Sequence, residues 1–210
     1  MKRLTRVERA AANRALVLAA ARGVFLARGY HGATLEQIAD EAGFSKGVVY
    51  SQFESKADLF LALLEARVEE RAAENVRVAR SLAGAGGLQA LLEHLTREDQ
   101  ASAGWLLLVI EFRVHAARDP VLSRRYAAVH ARTVEAVAQA LATVVARDGE
   151  EPAAAPPRLA ELALALSTGT TLERAANPDA FGGPRVAGQL AHVLESAAWP
   201  TAQAAGSETS

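Results

Sequence analysis

The sequence contains no cysteine, which excludes a disulfide framework, a thiolate metal site and a thiol nucleophile. Proline is missing ahead of Pro120, so nothing interrupts helical periodicity over the first half of the chain. Aromatic residues make up only 5%, while 50% of the chain is hydrophobic, with alanine and leucine supplying much of it. That mixture favours helices, because Ala and Leu lose little side-chain entropy there and few β-branched runs compete. Long apolar runs are scarce as well. The most apolar short one, Trp105 to Ile110, stops at Glu111 and is too short for a bilayer. Met1 to Arg14 is polar and basic with no apolar stretch behind it, so no secretory signal is expected. A cytoplasmic protein with no membrane partner is the default. At 210 residues it can bury a core without staples.

The net charge of -1 hides an asymmetry. Residues 1–56 carry nine Lys and Arg against five acids, a net +4, while residues 57–210 carry 14 against 19. A basic head on an acidic body suits a protein that meets phosphates at one end only. Many solvated faces are locally basic, so charge alone does not decide it.

Periodicity and stop signals predict about nine helices, no strand and no internal repeat. Apolar positions Ala15, Leu18, Ala21, Phe25 and Leu26 suggest one buried face over Ala11–Arg28, ended by Gly29. Thr34 with Gln37 forms a capping box ahead of Ile38, Ala39 and Ala42, and Gly43 ends that helix. Ser45 caps a short third helix, Lys46–Gln52. Ser55, with Asp58 three residues on, opens a fourth that reaches about Leu82. After a loop at Gly84, Gly86 and Gly87, helices are expected near 88–97, 103–117 and 120–147, with Asp119 capping the last. A hinge at 148–157 precedes a helix from Pro157 to Ala176, broken at Asn177-Pro178. A final helix runs from Gly183-Pro184 to Trp199-Pro200.

The segment Thr34–Phe53 carries the function. Two short helices joined by a Gly-containing turn make a helix-turn-helix. Ile38, Ala39 and Ala42 bury one face, and the small Ala39 lets the next helix cross closely, with Phe44 and Val49 plugging the same core. Ser45, Lys46, Gly47 and Val48 then lie exposed at the amino end of the third helix, the end that enters a major groove in such motifs. Lys46 suits a phosphate or a guanine edge, and Gly47 leaves room for backbone approach. Tyr50 and Thr34 can reach phosphate through their hydroxyls and Lys56 through its ammonium, while Val48, Ser51 and Gln52 are placed for base edges. Plain helix packing produces the same pattern, so the motif alone leaves both readings open.

Residues Arg14–Leu61 closely resemble the tetracycline-repressor (TetR) family of bacterial regulators. The resemblance rests on Val17-Leu18, Ala20-Ala21, Phe25, Gly29-Tyr30, Thr34, Ile38-Ala39, Ala42-Gly43, Ser45-Lys46-Gly47, Tyr50, Phe53, Lys56 and Leu59. It covers about a quarter of the chain and implies a dimeric, all-α regulator, usually a repressor released by ligand. Gln52 departs from the family's usual His or aromatic residue, which bears on base preference and leaves the fold untouched.

The expected architecture is an all-α chain with a helix-turn-helix DNA-binding domain at 1–56. A ligand-binding and dimerisation domain at 57–200 and a disordered tail at 201–210 follow. Glu111–Arg125 and Asn177-Pro178 resemble the family's sixth-to-seventh and eighth-helix junctions. By that scheme Ala163, Leu166, Gly169, Thr170, Leu190, Val193 and Leu194 form the dimer interface, although they could equally close an intrachain core. An apolar effector pocket is expected among Trp105, Leu108, Val109, Phe112, His115, Tyr126, Val129, His130 and Thr133, which a core stripe would also explain. No His pair shows metal-ligand spacing, Gly84–Gly87 lacks the Lys-Ser/Thr of a phosphate loop, and nothing marks a nucleophile. The expected partners are therefore double-stranded operator DNA, a small-molecule effector and a second copy, with no metal, cofactor or enzymatic activity.

Overall fold

The computed structural model describes residues 5–82, 87–96, 100–148 and 155–177, with residues 188, 189, 192, 193 and 196. Every regular element among them is helical: α1 (Arg6–Gly32), α2 (Leu35–Glu41), α3 (Lys46–Tyr50), α4 (Lys56–Ser81), α5 (Gly87–Thr96), α6 (Gln100–Ala116), α7 (Pro120–Asp148) and α8 (Pro156–Ala176). The five isolated residues are helical too, within the span expected for the last helix. The Gly84–Gly86 loop, hinge residues 149–154, Gly183-Pro184, Leu190, Leu194, Trp199-Pro200 and the tail at 201–210 lie outside the described residues.

Capping side chains set the helix starts. Thr34 Oγ1 accepts from the Gln37 amide at 3.2 Å while Gln37 accepts from the Thr34 amide at 3.1 Å. Ser55 Oγ accepts from the Asp58 amide at 3.1 Å, and Asp119 accepts from Val121 and Leu122 at the head of α7. Ser45 is the N-cap of α3 by backbone conformation only, since its hydroxyl makes no capping bond.

α1 differs from expectation at both ends. It begins earlier because Thr5 and Glu8 form a second capping box. It also resumes after Gly29, whose φ of 70° and ψ of 172° break the helix without ending it. Its buried face is Val17, Ala21, Val24 and Phe25, whereas Ala15 and Leu26 are exposed. Adjacent apolar residues at 17 and 18 made two registers compatible with the pattern. By length and composition Val7–Gly32 could cross a bilayer. One face of it packs into the core, however, and Arg9, Arg14, Arg22 and Arg28 stand exposed on the rest.

Two compact units share the chain. The first comprises residues 1–67 and 104–129. In it Val17, Ala21, Phe25, Ile38, Ala39, Val49 and Phe53 form the core of α1–α3. A ring cluster continues that core: Phe60 meets Phe25 at 5.2 Å, Tyr30 at 5.4 Å and Phe112 at 4.4 Å. The second unit comprises residues 68–103 and 130–210, with Ala79, Leu91, Val137, Leu141, Val144, Leu159 and Ala160 at its centre. α4, α6 and α7 each contribute residues to both units.

Candidate nucleic-acid interface

The helix-turn-helix of α2 and α3, the candidate DNA reader, is built on a buried hinge. Ile38, Ala39 and Val49 have no exposed surface and fix α3 across α2, and Gly43 at φ 70° makes the turn between them. With Val49 pointing inward, Ser45, Lys46, Gly47, Tyr50 and Ser51 face outward, while Val48 and Gln52 are half-buried. Tyr50 keeps 49% of its surface exposed.

Gly47 needs explaining. Its φ is ordinary, and a Cβ built there meets nothing nearer than Ser45 Oγ at 3.9 Å. Glycine in a helix costs about 0.5–1 kcal/mol relative to alanine, and among the described residues no close neighbour of a Cβ at this position requires it. A missing side chain at this outward position makes physical sense if another molecule's surface comes close to the backbone.

The polar groups of the reader are held by one another. Tyr50 Oη donates to Glu36 Oε1 at 3.0 Å, and Lys46 Nζ lies 3.9 Å from the same oxygen. Glu36's own amide and the Tyr50 hydroxyl hold its carboxyl below the usual range, and the same bond raises the tyrosine. Ser51 Oγ and Gln52 Nε2 both donate to the Val48 carbonyl, at 2.8 and 3.3 Å, rather than projecting straight out.

Lys56, expected at a phosphate, is committed elsewhere. Its ammonium donates to the carbonyls of Tyr30 at 2.7 Å, Ala33 at 2.9 Å and His31 at 3.3 Å, and lies 4.7 Å from the Tyr30 ring centroid. It therefore closes the carboxyl end of α1, and its burial lowers its pKa. A lysine at the start of one helix gives no sequence signal that it caps another.

Four groups carry no local sequence signal for the roles they take. The Arg14 guanidinium stacks on Phe53 at 4.6 Å, bracing the end of the reader. Glu111 on α6 accepts the Tyr30 amide at 2.7 Å, satisfying the N–H that the Gly29 break exposes. Asn75 is 4% exposed, and its Oδ1 has no hydrogen-bond partner among the described residues. Glu36 was passed over because an acid in a basic head reads as background.

The expected effector residues fall into two groups. Trp105, Leu108, Val109, Phe112, His115, Tyr126 and Val129 belong to the first unit, and His130 and Thr133 to the second. Phe112 has no exposed surface and packs on Tyr30, Phe60 and Tyr126, while His115 lies 5.0 Å from Tyr30. Phe112 is thus a core residue of the unit that holds the reader. Trp105 and Tyr126 are half-buried. Among the expected dimer residues, Ala163 is 4% exposed inside the chain's own core with Leu166 packed beside it. Gly169 and Val193 are exposed, and the Thr170 hydroxyl donates to the Leu166 carbonyl at 2.9 Å.

Comparison with known proteins places this geometry. Residues 17–63 match the family described as bacterial regulatory proteins, tetR family, and residues 85–198 match the BetI-type transcriptional repressor, C-terminal. The HTH-type transcriptional activator FasR of Mycolicibacterium smegmatis is 49% identical over 67 residues, 32% of this chain and 29% of FasR. The HTH-type transcriptional repressor AcnR of Corynebacterium diphtheriae is 33% identical over 115 residues, 52% of this chain and 53% of AcnR. The chain thus spans about half or less of the length of these curated relatives. Salmonella enterica GusR superposes with a TM-score of 0.65 at 24% identity, over 94% of this chain and 99% of that one. A Rhodococcus transcriptional regulator gives 0.64 at 24% identity, over 88% and 95%. With the tetR-type match over the reader and the BetI-type match over more than half of its length, the chain belongs to the TetR family of bacterial transcriptional regulators.

Proposed function

We propose that the chain is a ligand-responsive repressor that binds an inverted-repeat operator as a homodimer and is released by a small apolar or amphipathic effector. The observation that carries the DNA-binding reading is the outward amino end of α3, where Gly47 leaves bare backbone between the exposed Lys46 and Tyr50. Lys46 and Tyr50 supply phosphate contacts and Val48 an apolar base contact. Ser51 and Gln52 reach base edges once they leave the Val48 carbonyl. Thr34 adds a hydroxyl beside the backbone.

Two half-sites lie about 34–36 Å apart, one helical turn, so two readers must be held at that separation. Leu166, Gly169, Thr170 and Val193, with the exposed Leu172, are the proposed contacts between copies. Asn75 is proposed as an effector contact, because a buried carbonyl oxygen without a donor is costly unless a ligand or water meets it. In the first unit Trp105 and Tyr126 keep surface for an effector.

Coupling of about 1–3 kcal/mol between effector and DNA corresponds to 5- to 150-fold weaker binding. α4 carries it, since α4 begins beside the reader and extends to Ser81. Within the first unit, Glu111 and Lys56 hold Tyr30–Ala33 from α6 and α4, so a shift of either helix moves the end of α1.

Selection of bound duplexes from a random DNA pool tests the reading. An inverted repeat with half-sites one turn apart, bound by two chains, is expected, with Lys46→Ala flattening the salt dependence. Recovery of no preferred sequence would refute it. The FasR match favours a second reading, an activator of the same architecture. A promoter fusion measured with and without the gene separates the two.

A further inference from the structure

Glu36 sits in the first turn of α2 and holds both phosphate-seeking groups of the reader. Tyr50 Oη donates to its Oε1 at 3.0 Å, and Lys46 Nζ stands 3.9 Å from the same atom. An anionic oxygen that takes a tyrosine hydroxyl beside an ammonium is what a DNA phosphate would offer at this place. We propose that Glu36 is a built-in competitor for DNA phosphate, so that the reader docks on any duplex only by displacing it. This rests on reading α3 as the DNA-docking element.

No buried core depends on the reach of Glu36 to α3, although its carboxylate also takes its own amide and the Thr34 hydroxyl at the head of α2. The capping box of α2 is made by Thr34 and Gln37, and the Lys46 and Glu36 side chains are 62% and 39% exposed, so the contact buries no core. An acid in a first turn favours the helix dipole, yet any carboxylate in that turn does so without reaching across to α3. The consequence for binding has two parts. Each phosphate approaching Lys46 meets a neighbouring carboxylate, and the Lys46 charge is already partly neutralised, so docking releases fewer counterions. Both effects hold down the sequence-independent attraction that keeps regulators on wrong sites, a repulsive element beside the attractive ones.

The test uses the full chain, a short labelled duplex of arbitrary sequence and a duplex recovered by selection, followed by fluorescence anisotropy over a salt series. Glu36→Gln is expected to bind the arbitrary duplex about two- to fivefold more tightly for each reader engaged. Its plot of log K against log salt should steepen by about 0.9 for each reader engaged. A circular-dichroism melt close to that of the unmodified chain shows that the fold is kept. A second comparison reads the same competition from the other side: Tyr50→Phe should cost more affinity in a Glu36→Ala background than alone, because Tyr50 then has no internal acceptor to leave. Unchanged affinity and slope for Glu36→Gln overturn the inference while the reader stands. So does weaker binding to the selected duplex, which would make Glu36 a base contact. An unmodified chain that binds neither duplex overturns the reader itself.

Discussion

Gly29→Ala examines the joint between α1 and α6, and its cost follows from the structure. Glycine occupies φ 70° and ψ 172°, a region that side-chain-bearing residues almost never adopt, at a cost of about 1–3 kcal/mol. The new Cβ would also stand 2.8 Å from Glu111 Oε2, so the carboxylate must swing away and release the Tyr30 amide it accepts at 2.7 Å. Glu111 is exposed, which puts that charge-assisted bond at the lower end of its range, about 1.5 kcal/mol. Reduced freedom of the unfolded chain returns about 0.4–1 kcal/mol. The net loss is about 1.5–4 kcal/mol, measurable by urea unfolding followed by circular dichroism. In a Glu111→Ala background the carboxylate is already gone, so the same substitution should cost about 1–1.5 kcal/mol less. A Gly29→Ala loss below about 0.5 kcal/mol, or one indifferent to Glu111, would refute the reasoning.

Lys56→Met should destabilise the chain by about 1–2 kcal/mol, since three carbonyls lose their donor, while the salt slope of DNA binding stays unchanged. A flattened slope would return Lys56 to the phosphates. Phe112→Ala should cost about 3–5 kcal/mol by urea titration, because its ring is fully buried among Tyr30, Phe60 and Tyr126. A loss under about 1 kcal/mol would mean the ring lines a cavity rather than filling a core. Asp58 is lowered below its ordinary 3.8: burial raises it, but the bonds from Ser55 and Arg125 outweigh that. Its stabilisation is therefore present above about pH 4 and lost as pH falls through the lower folded value. Asp58→Asn should flatten the acid limb of a circular-dichroism unfolding curve there, and an unaltered limb would show that the Arg125 pair contributes nothing.

What could be read from sequence divides along physical lines. Most local signals survived: the Thr34–Gln37 box, Gly43, Ser55, Asp119 and the Asn177 stop act within a turn of the chain, although Ser45 makes no capping bond and Gly29 breaks α1 without ending it. Long-range commitments did not. Lys56 reaches back 26 residues to the Tyr30 carbonyl, and Glu111 reaches back 81 to the Tyr30 amide. Neither partner is marked by spacing. On α1 the expected Ala21 and Phe25 are buried, but Val17 rather than Leu18 completes the face, since both are apolar and only packing chooses between them. Ala163 and Phe112 show the same ambiguity, since small and aromatic residues at helical spacing suit a core, an interface or a pocket equally well.

The central claim is that α3 is the surface that meets DNA. Amide hydrogen exchange of the full chain, with and without its selected duplex, tests it most directly. The account predicts new protection over residues 45–52 and at the head of α2, around Thr34–Gln37, with the core of the second unit unchanged. Tight duplex binding that leaves residues 45–52 exchanging as in the free protein would contradict it.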